Sequence, residues 1–165
     1  MNIGRNVMAM NKITIDQLSK WDARFLELAV HISNWSKDPS TKVGSVIVSP
    51  DRRVLSMGYN GFPRGVVDTV ERLEDRETKL RYVSHAERNA LDNVDQDLRG
   101  CILYCTLQPC SECTKSIIQK GIKRVVAYYN ETKKIYVDDF HKYSYNMFYE
   151  SHVEVLLVGP QSYIK

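Results

Sequence analysis

The chain has 165 residues, 43% apolar and 26% charged, the balance of one soluble globular domain and too short for two comfortable ones. Its 23 basic and 20 acidic side chains leave a net charge of only +3, which argues against a long nucleic-acid partner and suits a small anionic ligand held by a few local cations. No apolar run approaches the roughly 20 residues needed to cross a bilayer. Met1 to Asn11 lacks the layout of a secretion signal, so a cytoplasmic protein with a short flexible lead is expected.

Thr14-Ile15-Asp16-Gln17 is a capping box and predicts the start of the first helix. Leu18, Trp21, Phe25, Leu28, Ala29, Ile32 and Trp35 then recur at helical spacing, and Pro39 sets the limit of that helix. Val43 to Val48 and Val54 to Tyr59 read as a hairpin turned at Pro50-Asp51. Asn60 to Gly65 is loop chemistry, and the charged stretch Glu71 to Arg81 reads as a solvated helical segment. A helix follows Ser84, and Cys101 to Leu107 is the third strand. Cys110 to Lys120 is a helix opened by Pro109 and closed by Gly121. Arg124 to Tyr129 is a strand, Asp138 to Glu150 a last helix, and Val153 to Val158 a final strand. Strand and helix alternate through the second half, which predicts an α/β fold with a mixed sheet of about five strands covered by helices.

The chemistry concentrates in His85-Ala86-Glu87 and Pro109-Cys110-Ser111-Glu112-Cys113. Imidazole and two thiolates are good zinc ligands, and three protein ligands leave a fourth position free, as catalytic zinc requires. Both groups open helices, where backbone amides favour thiolates and bound anions. Glu87 is the acid left over. It suits a general acid/base that takes a proton from water and returns it to a substrate nitrogen and a leaving amine. Taken singly, Cys-x-x-Cys also fits a structural zinc or a redox site. A structural zinc needs a fourth ligand, and Cys105, His31, His141 and His152 lack the spacing of one. Cys101 and Cys105, about 13 Å apart on one strand face, are too far apart for a disulfide and read as reduced core residues.

His-x-Glu followed by Pro-Cys-x-x-Cys marks zinc-dependent nucleobase deaminases. The chain resembles the cytidine and deoxycytidylate deaminase superfamily, and more narrowly its deoxycytidylate (dCMP) branch, through Asp38 to Ser45, Gly58-Tyr59-Asn60-Gly61-Phe62-Pro63-Arg64-Gly65, both metal motifs, and Gln119 to Val125. The resemblance runs from about Trp21 to Val158 and implies one deaminase domain over 1–165, with 1–13 flexible and a three-layer α/β/α core over about 14–158. It implies one zinc at His85, Cys110 and Cys113, Glu87 as proton shuttle, Asn60 on the sugar and the backbone of Ala86 on the pyrimidine. The strand entry, with Ser40, Lys42 and Val43, is expected to serve the substrate, Lys42 being the first choice for its phosphate. Tyr136 or Tyr129 is expected to stack on a base. Regulation by dCTP and dTTP is implied through the loop carrying Gly58, Gly61 and Arg64, and a hexamer is the expected assembly. Asp138 and Asp139 offer magnesium ligands for a regulatory triphosphate, although a helix N-terminus explains them more simply. The competing readings are another zinc deaminase, acting on cytidine, guanine, a riboflavin precursor or tRNA adenosine, and a non-catalytic zinc module that binds nucleotides.

Overall fold

The computed structural model describes residues 11–159. In chain order these form β1 (Asn11–Ile13), α1 (Lys20–Ser33), β2 (Gly44–Val48), β3 (Val54–Tyr59), α2 (Val70–Glu74), α3 (Arg76–Tyr82) and α4 (Ala86–Asp92). Then come β4 (Ile102–Cys105), α5 (Ser111–Gln119), β5 (Arg124–Tyr128), α6 (Lys134–Asp139), α7 (Tyr145–Glu150) and β6 (Glu154–Val158). One six-stranded mixed sheet runs in the order β1-β6-β5-β4-β2-β3. β2 is antiparallel to β3 and β4, and the remaining pairs are parallel.

Both faces of the sheet are buried, so alternate residues of one strand enter different cores. Val46, Val48, Tyr104, Val126 and Tyr128 pack with Phe25, Leu26, Ala29 and Ile32 of α1. Ile47, Leu103, Cys105, Val125 and Ala127 face the opposite layer, with Ala86, Ala90 and Leu91 of α4, Ile117 of α5, and Phe140 and Phe148. This is the expected α/β/α sandwich, with six strands instead of five. The sixth is β1. Its three residues were expected to be flexible, but Asn11, Lys12 and Ile13 pair in parallel with Leu156, Leu157 and Val158. Three residues with one apolar side chain carry almost no strand signal, and the free edge of β6 supplies the order. The expectation for residues 1–10 lies outside the described residues.

Three further expectations are corrected. Thr14 caps only a short 3-10 turn, where its amide donates to Gln17 Oε1 at 2.9 Å. The chain then extends at Leu18, and α1 starts afresh at Lys20, capped by the Ser19 hydroxyl on the Asp22 amide at 3.1 Å. The last helix begins four residues before Asp138 and passes through a π-helical stretch, Phe140–Ser144, that buries Phe140 and Ser144. The charged stretch forms two helices, and Lys79 within it is buried rather than solvated.

A buried ion pair fixes α1 to the sheet. Arg124 of β5 donates to both carboxylate oxygens of Asp22 at 2.8 and 3.1 Å, Tyr104 to one at 2.8 Å and Ser19 to the other at 2.8 Å. Burial raises the Asp22 carboxyl, but the bonds from Arg124, Tyr104 and Ser19 outweigh it and hold the group below the usual range.

Candidate active site

α4 and α5 leave the same face of the sheet and bring their N-termini together. His85 is the N-cap of α4, and Cys110 is the N-cap of α5 with Cys113 in its first turn. Gly58 permits the close approach of β3 to α4, since a β-carbon there would lie 2.5 Å from the Ala86 carbonyl oxygen and 2.4 Å from the Ala90 nitrogen. His85 Nδ1 lies 3.4 Å from each of Cys110 Sγ and Cys113 Sγ. The three ligand atoms lie within 4.8 Å of one another. A tetrahedral zinc with bonds of about 2.3 Å to sulfur and 2.0 Å to nitrogen would set each N–S separation at roughly 3.5 Å. The residues therefore fit zinc, with one coordination position left over.

Three mutually close titratable groups perturb one another. The Cys110 thiol is pulled down to about 4, chiefly by its hydrogen bond from Cys113 and also by His85, and Cys113 is pushed far up. His85 rises to about 9 through its bond to Cys110. One thiolate beside an imidazolium is the proton arrangement a cation would replace. Glu87, one residue into α4, is 4% exposed, and burial pushes it up to about 7, against the opposing pull of His85. The neighbouring Cys105 thiol opposes that rise slightly. A carboxyl poised near neutrality can both take and give a proton at physiological pH.

These groups open into a cavity of about 340 Å³, large enough for a nucleotide. Ala86, Asn60, Ser40, Val43 and Tyr136 line it with His85, Glu87 and Cys110. Lys42, between Thr41 and Val43, is exposed and is not among the residues that line it. Asn60 does not take the left-handed turn geometry that Asn-Gly permits. Its side chain clips the strand entry, with Oδ1 accepting from the Val43 amide and Nδ2 donating to the Thr41 carbonyl, both at 2.8 Å. Each Asn60 group keeps capacity for one further partner. Tyr129 is a core residue, 2% exposed, hydrogen-bonded to His141 at 2.6 Å, so Tyr136 alone of the two tyrosines reaches the cavity.

The cavity contains residues the sequence did not single out. Arg76, Lys79 and Leu80 come from α3, Gln108 precedes α5, and Lys133 and Ile135 lie at the start of α6. Gln108 is pinned by paired bonds with the Asn130 backbone at 2.8 and 3.1 Å. Asp139 was expected at the N-terminus of its own helix or beside magnesium. It instead closes α6, and its two oxygens accept from the Ser111 amide at 2.7 Å and hydroxyl at 2.9 Å, capping α5 beside Cys110. Gly58, Gly61 and Arg64 border a separate hollow with Trp35, Tyr59, Phe62 and Asn93, and Arg64 donates to Asn93 Oδ1 at 2.7 Å.

Residues 19–129 match the family defined as the cytidine and deoxycytidylate deaminase zinc-binding region. The chain belongs to that family. It is 44% identical over 108 residues to an uncharacterized deaminase of Aliivibrio fischeri, covering 66% of this chain and 72% of that one. It is 41% identical over 117 residues to the deoxycytidylate deaminase of Homo sapiens, covering 67% and 66%. The fold superposes on the dCMP deaminase of cyanophage S-TIM5, in its complex with dCMP and dUMP, with a TM-score of 0.64 at 25% identity, covering 82% of this chain and 94% of that one. Among the described residues, no helix is long and apolar enough to cross a membrane.

Proposed function

We propose that the chain is a zinc-dependent deaminase that converts dCMP to dUMP and ammonia, supplying dUMP for thymidylate synthesis. The observation that carries this reading is Glu87, buried at the cavity beside a cluster of three metal-ligating side chains. The S-TIM5 neighbour and the human relative favour dCMP among cytosine compounds.

His85 Nδ1, Cys110 Sγ and Cys113 Sγ would hold the zinc, which would supply Lewis-acid activation of a water. The ionised Glu87 takes a proton from the attacking water as oxygen bonds to C4 of the ring. The same carboxyl returns that proton to N3. It then passes the second water-derived proton to the exocyclic nitrogen, so the C4–N bond breaks and ammonia leaves. The Ala86 backbone at the start of α4 serves the pyrimidine, and Asn60 the sugar. Tyr136 covers the base, while Ser40 and Val43 form the adjoining wall.

Ammonia release measured over dCMP, deoxycytidine, cytidine and guanine tests the reading. Turnover concentrated on dCMP is expected. Turnover of guanine alone would replace the reading, and zinc binding without turnover of any of them would favour a non-catalytic module.

The hollow at Gly58, Gly61 and Arg64 is proposed as the regulatory site, with dCTP activating, dTTP inhibiting, and magnesium accompanying the triphosphate. Flat activity against both nucleotides would remove that proposal. A single domain over 1–165, a cytoplasmic location and a homo-oligomer, with a hexamer first, complete the reading. Sedimentation gives the subunit number directly.

A further inference from the structure

We infer that Lys79 reads the 5′-phosphate of the substrate, as the centre of a cationic wall that no local motif announces. The inference rests on the nucleotide reading above. Lys79 comes from α3, and its side chain is 8% exposed. Its Nζ donates to Asp38 Oδ1 at 3.1 Å and to Ser40 Oγ at 3.2 Å, which leaves one of its three donors over in a group that lines the cavity. Lys133, from the chain before α6, places its Nζ against Thr41 Oγ1. Two ammonium groups thus flank two adjacent hydroxyls. Each hydroxyl accepts from a lysine and keeps its own hydrogen to give.

Asp38 organises this wall. Its Oδ1 also accepts from the Ser40 amide at 2.7 Å and the Thr41 amide at 3.0 Å, which fixes the turn that presents both hydroxyls. Burial opposes its ionisation, but those amides and Lys79 outweigh it and hold the carboxyl below its usual range. Charge then decides what the wall can take. Arg76, Lys79 and Lys133 bring positive charge to the side of the cavity that holds Asp38, while the other acid of the cavity, Glu87, belongs to the metal corner. Cations that outnumber the single carboxylate beside them suit a phosphomonoester dianion, whose oxygens accept from ammonium and hydroxyl donors alike. A lysine that served packing alone would gain nothing from lining an open cavity with a donor unspent.

The test is the preference for dCMP over deoxycytidine, taken as the ratio of kcat/KM values, in zinc-loaded wild type, Lys79→Met, Lys79→Arg and Lys133→Met. Wild type prefers dCMP. Lys79→Met lowers that preference on the order of 30-fold, mainly through KM for dCMP, the effect of losing one charge-assisted contact. Lys79→Arg restores most of it, and Lys133→Met, which leaves no buried carboxylate unpaired, lowers it about 5-fold by the same reasoning. Equal losses on both substrates, with the ratio unchanged, would overturn the inference and leave Lys79 a structural partner of Asp38. A wild type that uses both substrates equally would also overturn it, while the zinc deaminase reading stood. If neither substrate is turned over, the functional reading fails by itself. Inorganic phosphate then decides the wall: a thermal shift in wild type that is absent in Lys133→Met supports it, and no shift in wild type refutes it.

Discussion

The metal corner and the cationic wall share one cavity and were assembled in opposite ways. The corner takes its groups from two short motifs, each set at a helix start, so local chain geometry does most of the positioning. The wall takes its groups from three separated stretches, the 38–41 turn, α3, and the chain before α6, joined to Asn60 by its clip on the strand entry. A chemistry that tolerates little displacement sits on rigid helix ends. The recognition of a charged group, which falls off slowly with distance, is left to side chains gathered from afar. A third cluster, Asp22 with Arg124, supplies the contrast. Its carboxylate is buried like that of Asp38, but its cation is partly exposed, and the pair lies outside the cavity and joins α1 to the sheet.

The sharpest break between corner and wall is Glu87→Gln. Turnover should fall roughly a thousandfold, as expected for loss of a general acid/base, while zinc content measured by atomic absorption stays unchanged. Loss of zinc together with activity would show that Glu87 is a structural member of the corner. The next effect separates the wall from its structural counterpart. Asp22→Ala removes the shared acceptor of Arg124, Tyr104 and Ser19, leaves Arg124 with Glu154 alone, and should cost about 3 kcal/mol in denaturant unfolding, with KM for dCMP unaltered. A raised KM would mean the two ion pairs are not functionally distinct.

Metal-free protein should reveal the strain in the corner. Glu87 holds its proton more tightly folded, at about 7 against an ordinary 4.5, so its contribution to stability is lost as pH rises through that window. Without metal, Glu87→Gln should therefore be more stable than wild type at pH 8, on the order of 3 kcal/mol, and little different at pH 4. Equal melting temperatures at pH 8 would contradict the burial that raises this group. The smallest effect probes the bridge between regions. Asp139→Ala removes a cap from α5 and should cost about 1 kcal/mol, with a modest rise in KM because α6 carries Tyr136 and follows Lys133. Unchanged stability would show that Ser111 needs no cap from α6.

The clustering of His85, Cys110 and Cys113 beside Glu87 was legible because ligand type, spacing and helix starts are all written within a few residues. Lys42 was singled out for an equally local reason. Its charge and position beside Ser40 suggested phosphate, and the fold leaves it exposed while Ser40, Thr41 and Val43 line the cavity. Lys79 was hidden within a charged run that reads as a solvated face. Only its meeting with Asp38, 41 positions earlier, reveals its use. Asp139 was hidden in the same way, since its partner Ser111 lies on another helix.

By itself the sequence determined the alternation of strands and helices, the three ligands and the neighbouring acid, because those depend on periodicity and on side-chain chemistry over short spans. Tertiary structure decided the strand order, the recruitment of β1 to the edge of β6, and which charged side chains enter the cavity. The reason is that pairing at long separation is selected by the burial and hydrogen bonding of the whole fold, which no single segment encodes.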